Sequence, residues 1–263
     1  MKCQISGYRI NHGDDILRIP ATQDYQGQTY KLVKIGNDAF KDWRHWLIPD
    51  WGLDGIDFSQ ATNLEEIGKN AFAGGVLNAD DFAYKTLDLS HTKIHTIGEN
   101  AFNDAFVTNH RTFNHIVLPN TIRSIGDNAF GNKVWAKNVS IPVSDPNQIQ
   151  NLKFGNNWLP NSENKHSRLF LPYGTTNLYK EANINLGNWT IAEGERHMLG
   201  DVYVLVAFHN DENKKWCEIT NVVGTSKDDI LRLPATIKSL TNNQEYPLTK
   251  IHDHAFAKSQ TVD

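Results

Sequence analysis

Ile35-Gly36-Asn37-Asp38-Ala39-Phe40 returns almost unchanged as Ile67-Gly68-Lys69-Asn70-Ala71-Phe72, Ile97-Gly98-Glu99-Asn100-Ala101-Phe102 and Ile125-Gly126-Asp127-Asn128-Ala129-Phe130. A worn copy, Ile251-His252-Asp253-His254-Ala255-Phe256, lies near the end. The first four copies are spaced by 32, 30 and 28 residues. A unit of this length cannot bury its own apolar side, so it must lie against a neighbour that does the same. Ile35, Phe40, Ile67, Phe72, Ile97, Phe102, Ile125, Phe130, Ile251 and Phe256 are therefore the expected interior of a stacked array.

A second element precedes the copies. It alternates apolar and other residues and usually closes on proline: Leu17-Arg18-Ile19-Pro20, Ile56-Asp57-Phe58-Ser59, Leu87-Asp88-Leu89-Ser90, Ile116-Val117-Leu118-Pro119. Val139-Ser140-Ile141-Pro142, Leu169-Phe170-Leu171-Pro172 and Leu231-Arg232-Leu233-Pro234 continue it. Period-two alternation over so few residues reads as a very short strand. Proline, with no N–H to donate, ends the ladder. The expected unit is thus a strand, a turn, a second apolar pair, a glycine turning at positive φ, an Asp or Asn suited to a turn or helix N-cap, and Ala-Phe on a short helical turn. The alanine is expected to be small because the next coil packs on it.

Composition adds exclusions. A net charge of −4 over 263 residues gives no basic footprint for nucleic acid or an anionic membrane. No apolar run approaches the ~18 residues of a membrane span. Met1-Lys2-Cys3-Gln4-Ile5 has no apolar signal core. The two cysteines, Cys3 and Cys217, form no C-x-x-C pair. No G-x-S-x-G, H-E-x-x-H, P-loop or G-x-G-x-x-G occurs, so no catalytic residue, metal ligand or cofactor is assigned and the chain reads as a non-enzyme. His91 and His95 are four apart but flank a strand end and a turn, which spoils ligand geometry.

Ile116 to Phe130 resembles a near-complete unit of the BspA-like, or Treponema pallidum-type, leucine-rich repeat, with its strand ending in I-x-I-P and its I-G-x-x-A-F segment. Leu169 to Trp189 resembles the unit that closes such arrays in Bacteroidetes proteins, and Tyr203 to Phe256 resembles the opening of a new one. The insertions at about 41–52 and 143–168 fall outside the resemblance. It implies an α/β solenoid, a leucine-rich-repeat right-handed superhelix of short strands and short helices or turns. It also implies a secreted or surface-anchored bacterial protein that binds host or matrix proteins, with adhesion as the expected role and a surface glycan as the alternative ligand.

Cys3 to Thr22 aligns without a gap on Cys217 to Thr236, with Asp14-Asp15-Ile16-Leu17-Arg18 against Asp228-Asp229-Ile230-Leu231-Arg232. After a two-residue insertion Tyr30 meets Tyr246 and Ile35 meets Ile251. The expected organisation is one array over 1–195 with its closing unit, and the truncated opening unit of a second over 196–263. Strand-like Tyr203 to Phe208 precedes the second copy, and nothing equivalent precedes the first. The chain is therefore expected to be a fragment of a longer tandem array.

Two groups are candidates for binding. Trp43, Trp46 and Trp51 crowd the first insertion around Arg44 and His45. They suit a protein hot spot or a sugar ring, or else they seal the edge of the first coil. Arg18, Asp57, Asp88, Val117, Ser140, Phe170 and Arg232 occupy the outward positions of the strands and should line one docking face.

Overall fold

The computed structural model describes residues 1–6, 16–42, 55–74, 86–105, 112–131, 134–163, 167–199, 202–211, 214–223, 231–240, 243–251 and 255. Trp43, Trp46, Trp51 and Phe256 lie outside them. The chain opens with β1 (Lys2–Ile5), β2 (Ile16–Arg18), β3 (Thr22–Tyr25) and β4 (Gln28–Ile35). Pairs of short strands follow: β5 (Gly55–Asp57) and β6 (Glu66–Ile67), β7 (Thr86–Asp88) and β8 (Thr96–Ile97), β9 (Thr112–Val117) and β10 (Ser124–Ile125). Then come β11 (Trp135–Ser140), α1 (Pro146–Gln150), β12 (Lys153–Phe154), β13 (Asn161–Ser162), β14 (Arg168–Leu171), α2 (Thr176–Glu181) and β15 (Thr190–Glu193). Finally β16 (Glu195–Leu199), β17 (Val202–Asp211), β18 (Lys214–Val223), β19 (Thr236–Lys238) and β20 (Glu245–Ile251) form a separate sheet in the order 16-17-18-20-19.

The repeats stack as parallel ladders, the arrangement of a leucine-rich-repeat solenoid. One ladder runs β7-β9-β11-β14-β15 and keeps Leu87, Ile116, Val139, Leu169 and Ile191 in register. β2 and β5 pair separately with Leu17 opposite Ile56, and β5 lies beside β7. A second ladder, β1-β4-β6-β8-β10-β12, aligns Ile5, Ile35, Ile67, Ile97, Ile125 and Phe154. The two-residue strands β6, β8 and β10 are too short for any alternation to announce them. They exist because the neighbouring coil supplies their hydrogen bonds.

Between the ladders lies a continuous core. Phe40, Phe72, Phe102 and Phe130 are each at most 1 % exposed. Their rings stack at centroid distances of 5.0, 5.1 and 5.3 Å. The turns beneath them are bonded coil to coil, with the Phe40, Phe72 and Phe102 amides donating to the carbonyls of Ala71, Ala101 and Ala129. Ala71, Ala101 and Ala129 are fully buried, which leaves no room for a longer side chain.

The structure corrects several expectations. The repeat glycines Gly36, Gly68, Gly98 and Gly126 are not the positive-φ residues. That conformation belongs to Asp38, Asn70, Asn100 and Asn128, at φ of 56, 53, 55 and 52°. Asn and Asp tolerate it because their short polar side chains bond locally. The glycines answer to crowding: a Cβ on Gly98 would lie 2.5 Å from the Lys69 nitrogen and 2.6 Å from the Gly68 carbonyl carbon. The Ala-Phe segments are hydrogen-bonded turns and not helical turns.

The stretch expected as an insertion at 143–168 builds, over its described residues 143–163, a further coil. Phe154-Gly155-Asn156-Asn157 reproduces the repeat, with β12 on β10 and Asn157 at φ 51°. Ile251 is 42 % exposed and is not an interior rung. Ile35 is flanked in its ladder by Ile5 and Ile67, whereas Ile251 pairs with Ile219 on one side only among the described residues. Most buried apolar residues from Leu17 to Trp189 form one cluster, and most of those from Val202 to Ala255 form another.

Phe102→Ala is expected to destabilise the array by about 3–5 kcal/mol, because the rigid stack above and below cannot close the cavity. A denaturation midpoint equal to that of the exposed-site control Lys153→Ala would contradict this. Gly98→Ala is expected to cost about 1–3 kcal/mol through overpacking, although alanine adopts its backbone angles freely. Urea unfolding of the two variants reads both effects.

Candidate functional site

The outward positions of the first ladder make two parallel rows. Thr86, His115, Asn138, Arg168 and Thr190 form one, and Asp88, Val117, Ser140, Phe170 and Ala192 the other. Arg18 and Asp57, side by side on β2 and β5, extend the second row toward the N-terminus. Alternation along each strand turns these residues away from the core.

Arg18 is exposed, and Asp57 and Asp88 are half-buried. Each aspartate uses one oxygen to hold its own turn: Asp57 Oδ1 accepts from the Ser59 amide at 2.8 Å, and Asp88 Oδ1 from the Ser90 amide at 2.9 Å. The Ser59 amide and hydroxyl, with the charge of Arg18, hold the Asp57 carboxyl below its usual range. These acids are therefore turn formers that still present one side to solvent. Arg232 is exposed, but it belongs to the C-terminal unit, outside the rows of the array ladder.

Phe170 departs from the expectation. It points outward yet is only 3 % exposed. The Arg196 guanidinium sits 5.8 Å from its ring centroid, and His115 meets it edge-on at 6.1 Å. β16 thus covers the C-terminal part of the face, and among the described residues no strand lies over the part around Arg18, Asp57 and Asp88. The covering is polar as well as apolar. Arg196 Nη1 lies 3.0 Å from His115 Nδ1, and His115 Nε2 lies 2.7 Å from Ser140 Oγ.

A serine beside a histidine invites comparison with a hydrolase dyad, and the arginine argues against it. A guanidinium only donates, so Nδ1 accepts and the proton of the neutral ring resides on Nε2. His115 therefore donates to Ser140, whereas a nucleophilic serine must donate to the histidine. Burial, with the Arg196 charge second, lowers the His115 pKa to about 3. Among the described residues no three His, Cys, Asp or Glu side chains cluster to hold a metal.

A cleft also escaped the sequence reading. A cleft of about 440 Å³ opens between the last coils, lined by Trp135, Asn157, Trp158, Asn161, Asn185 and Trp189 among others. Trp158 Nε1 donates to the Asn185 carbonyl at 2.9 Å and Trp189 Nε1 to the Pro160 carbonyl at 3.2 Å. These two rings are 1 % and 8 % exposed, so they serve the core and present edges to the cleft. Trp158 replaces the repeat's alanine, and that break in the pattern was the available signal. The Trp43, Trp46 and Trp51 group lies outside the described residues.

The His115 contact has a pH consequence. Its folded-state pKa lies below the ordinary histidine value of about 6.5, so protonation favours the unfolded chain. Its stabilising effect is whole above about pH 6.5 and is lost progressively as pH falls toward 3. The slope of melting temperature against pH in that window is expected to flatten in His115→Gln, as calorimetry would read.

No curated protein matches the chain. Among solved structures, it is similar to a leucine-rich repeat protein from Bacteroides ovatus, at 19% identity over 64% of this chain and 42% of that one, with a TM-score of 0.27. It is also similar to a leucine rich cell surface protein from Faecalibacterium prausnitzii, at 14% identity over 90% of this chain and 59% of that one, with a TM-score of 0.23. The chain thus spans 42% and 59% of these two proteins. The BspA type leucine rich repeat region matches residues 28–159 in six copies. Those residues hold β4 to β12, the phenylalanine stack and most of the coil at 143–163, and on that match the chain belongs to the BspA-type leucine-rich-repeat family.

Proposed function

We propose that this chain is a non-catalytic scaffold that binds a protein partner on the uncovered, N-terminal part of its strand face. Leucine-rich repeats of its family are scaffolds for protein interaction. The observation that carries the choice of surface is the unequal covering of one continuous face. Arg196 closes it over Phe170, while Arg18 is exposed and Asp57 and Asp88 are half-buried. An open, shallow strand face suits docking and does not exclude water as catalysis prefers. The finer reading is adhesion to a host or matrix protein at a bacterial cell surface, in keeping with the family's usual setting. The division into an array over 1–195 and the opening of a second over 196–263 fits this role, since tandem arrays lengthen a surface scaffold.

Arg18→Glu and Val117→Arg are expected to weaken capture of immobilised matrix proteins at least about tenfold, equivalent to about 1.4 kcal/mol, with melting temperature unchanged. Lys69→Glu, on the opposite turn side, is expected to leave capture intact. Equal capture by all three variants would overturn the reading. Glycan binding lost on Trp46→Ala would replace the protein partner with a carbohydrate.

A further inference from the structure

The bonding of turn to turn is interrupted toward the end of the array. In the inner coils the Phe40, Phe72 and Phe102 amides each donate to the carbonyl of the alanine in the next turn. Phe130 would continue the series on the Trp158 carbonyl, and among the described residues that bond is not made. Trp158 stands in the alanine's place and Leu159 in the phenylalanine's, so the file of phenylalanine rings ends at Phe130. One coil further on, indoles act as the crossing donors. Trp158 Nε1 donates to the Asn185 carbonyl and Trp189 Nε1 to the Pro160 carbonyl. A bond made through a side chain holds two backbones farther apart than a direct amide bond does. The cleft of about 440 Å³ lies between these turns, a volume within the roughly 300–1,000 Å³ of small-ligand sites.

The chemistry of its walls is narrow. No charged side chain is among the described lining residues. What they offer is hydrogen-bonding groups, two of them already aimed. Asn157 Nδ2 donates to Asn128 Oδ1 at 3.3 Å, which leaves Asn157 Oδ1 as an acceptor. Asn185 Oδ1 accepts from the Gly187 amide at 2.9 Å, which leaves Asn185 Nδ2 as a donor. Trp135 Nε1, the Ser162 hydroxyl and the Asn188 side-chain amide line the cleft with no hydrogen-bond partner among the described residues. Trp135 is half-buried, so its indole supplies apolar surface beside its N–H.

We propose that this cleft binds a short, uncharged saccharide. Each sugar hydroxyl both donates and accepts, which answers a wall of fixed donors and acceptors. The C–H face of the sugar ring packs on the Trp135 indole. A sugar bearing a carboxylate would give up water here and meet no cation in return. The site is separate from the strand face around Arg18, so either proposal stands without the other.

The test exposes the full chain to immobilised oligosaccharides, neutral hexose and N-acetylhexosamine chains beside sialylated and uronate-bearing ones. Capture of neutral members alone is expected. Asn188 is exposed, and Asn188→Ala breaks none of the bonds above, yet it is expected to weaken capture several-fold. Trp135→Phe keeps a ring and removes the N–H, and it is expected to do the same. In the proton–nitrogen spectrum, the indole signal missing from Trp135→Phe is expected to shift when the captured sugar is added to the unaltered chain. Trp46→Ala and Arg18→Glu are expected to leave this capture intact, so failure of the cleft and failure of the strand face are read separately. No capture of any neutral sugar, equal capture of acidic ones, or capture undiminished by both cleft variants would overturn the inference. A Trp135 indole signal that stays in place while sugar binds would overturn it too, since the sugar would then sit elsewhere. The spectrum and Asn188→Ala keep the test decisive if Trp135→Phe folds poorly.

Discussion

Everything in the array depends on one coil covering the next. A single coil offers a few apolar residues and two very short strands, too little to offset the backbone entropy of ordering it. Stacked, the coils form a file of phenylalanine rings about 5 Å apart, flanked by two ladders of aliphatic rungs. That spacing matches the separation of paired strands. Ring stacking and backbone pairing therefore share one repeat distance, and neither strains the other. The left-handed asparagine and the crowded glycine follow from this. The turn must bend sharply enough to return the chain, and its backbone must come close enough to the previous turn for the amides to bond.

The sequence announces the period, the strand rungs and the interior isoleucines and phenylalanines because each recurs at a constant place. It also announces the duplicated opening unit. It misleads where one residue type serves several physical ends. Glycine suggests positive φ, but Gly98 is there to avoid a clash, and the turn falls to Asn100. The coil at 143–163 is masked in the sequence by Trp158, which stands where alanine is usual. What covers the outward face is not legible at all. Phe170 looks like a docking residue until Arg196, 26 positions later, is seen to lie over it. Sequence spacing carries no information about which later strand folds back.

That fold-back joins the two apolar clusters with polar contacts. Arg196, His115 and Ser140 form a chain in which every hydrogen bond has a defined direction. Glu195 next to it accepts from the Ser239 hydroxyl and the Leu240 amide at 2.8 and 2.7 Å. Two neighbouring side chains at the start of β16 thus reach opposite ways, Arg196 to the array and Glu195 to the C-terminal unit. A link made of oriented polar groups demands a particular orientation, where a purely greasy contact would allow sliding.

The coil-to-coil bonding pattern has an evolutionary corollary. Successive turns donate to the next from equivalent positions, Asp38 and Phe40, then Asn70 and Phe72, then Asn100 and Phe102, so the upper surface of one inner coil matches the lower surface of another. Excising one whole unit would bring two compatible surfaces together and leave no orphaned amide. Inserting one would do the same. Changes in copy number by unequal crossing-over are thus structurally silent at the seam, and the loops between strands absorb the differences in length. Such a gene can lengthen or shorten its product without refashioning the interior.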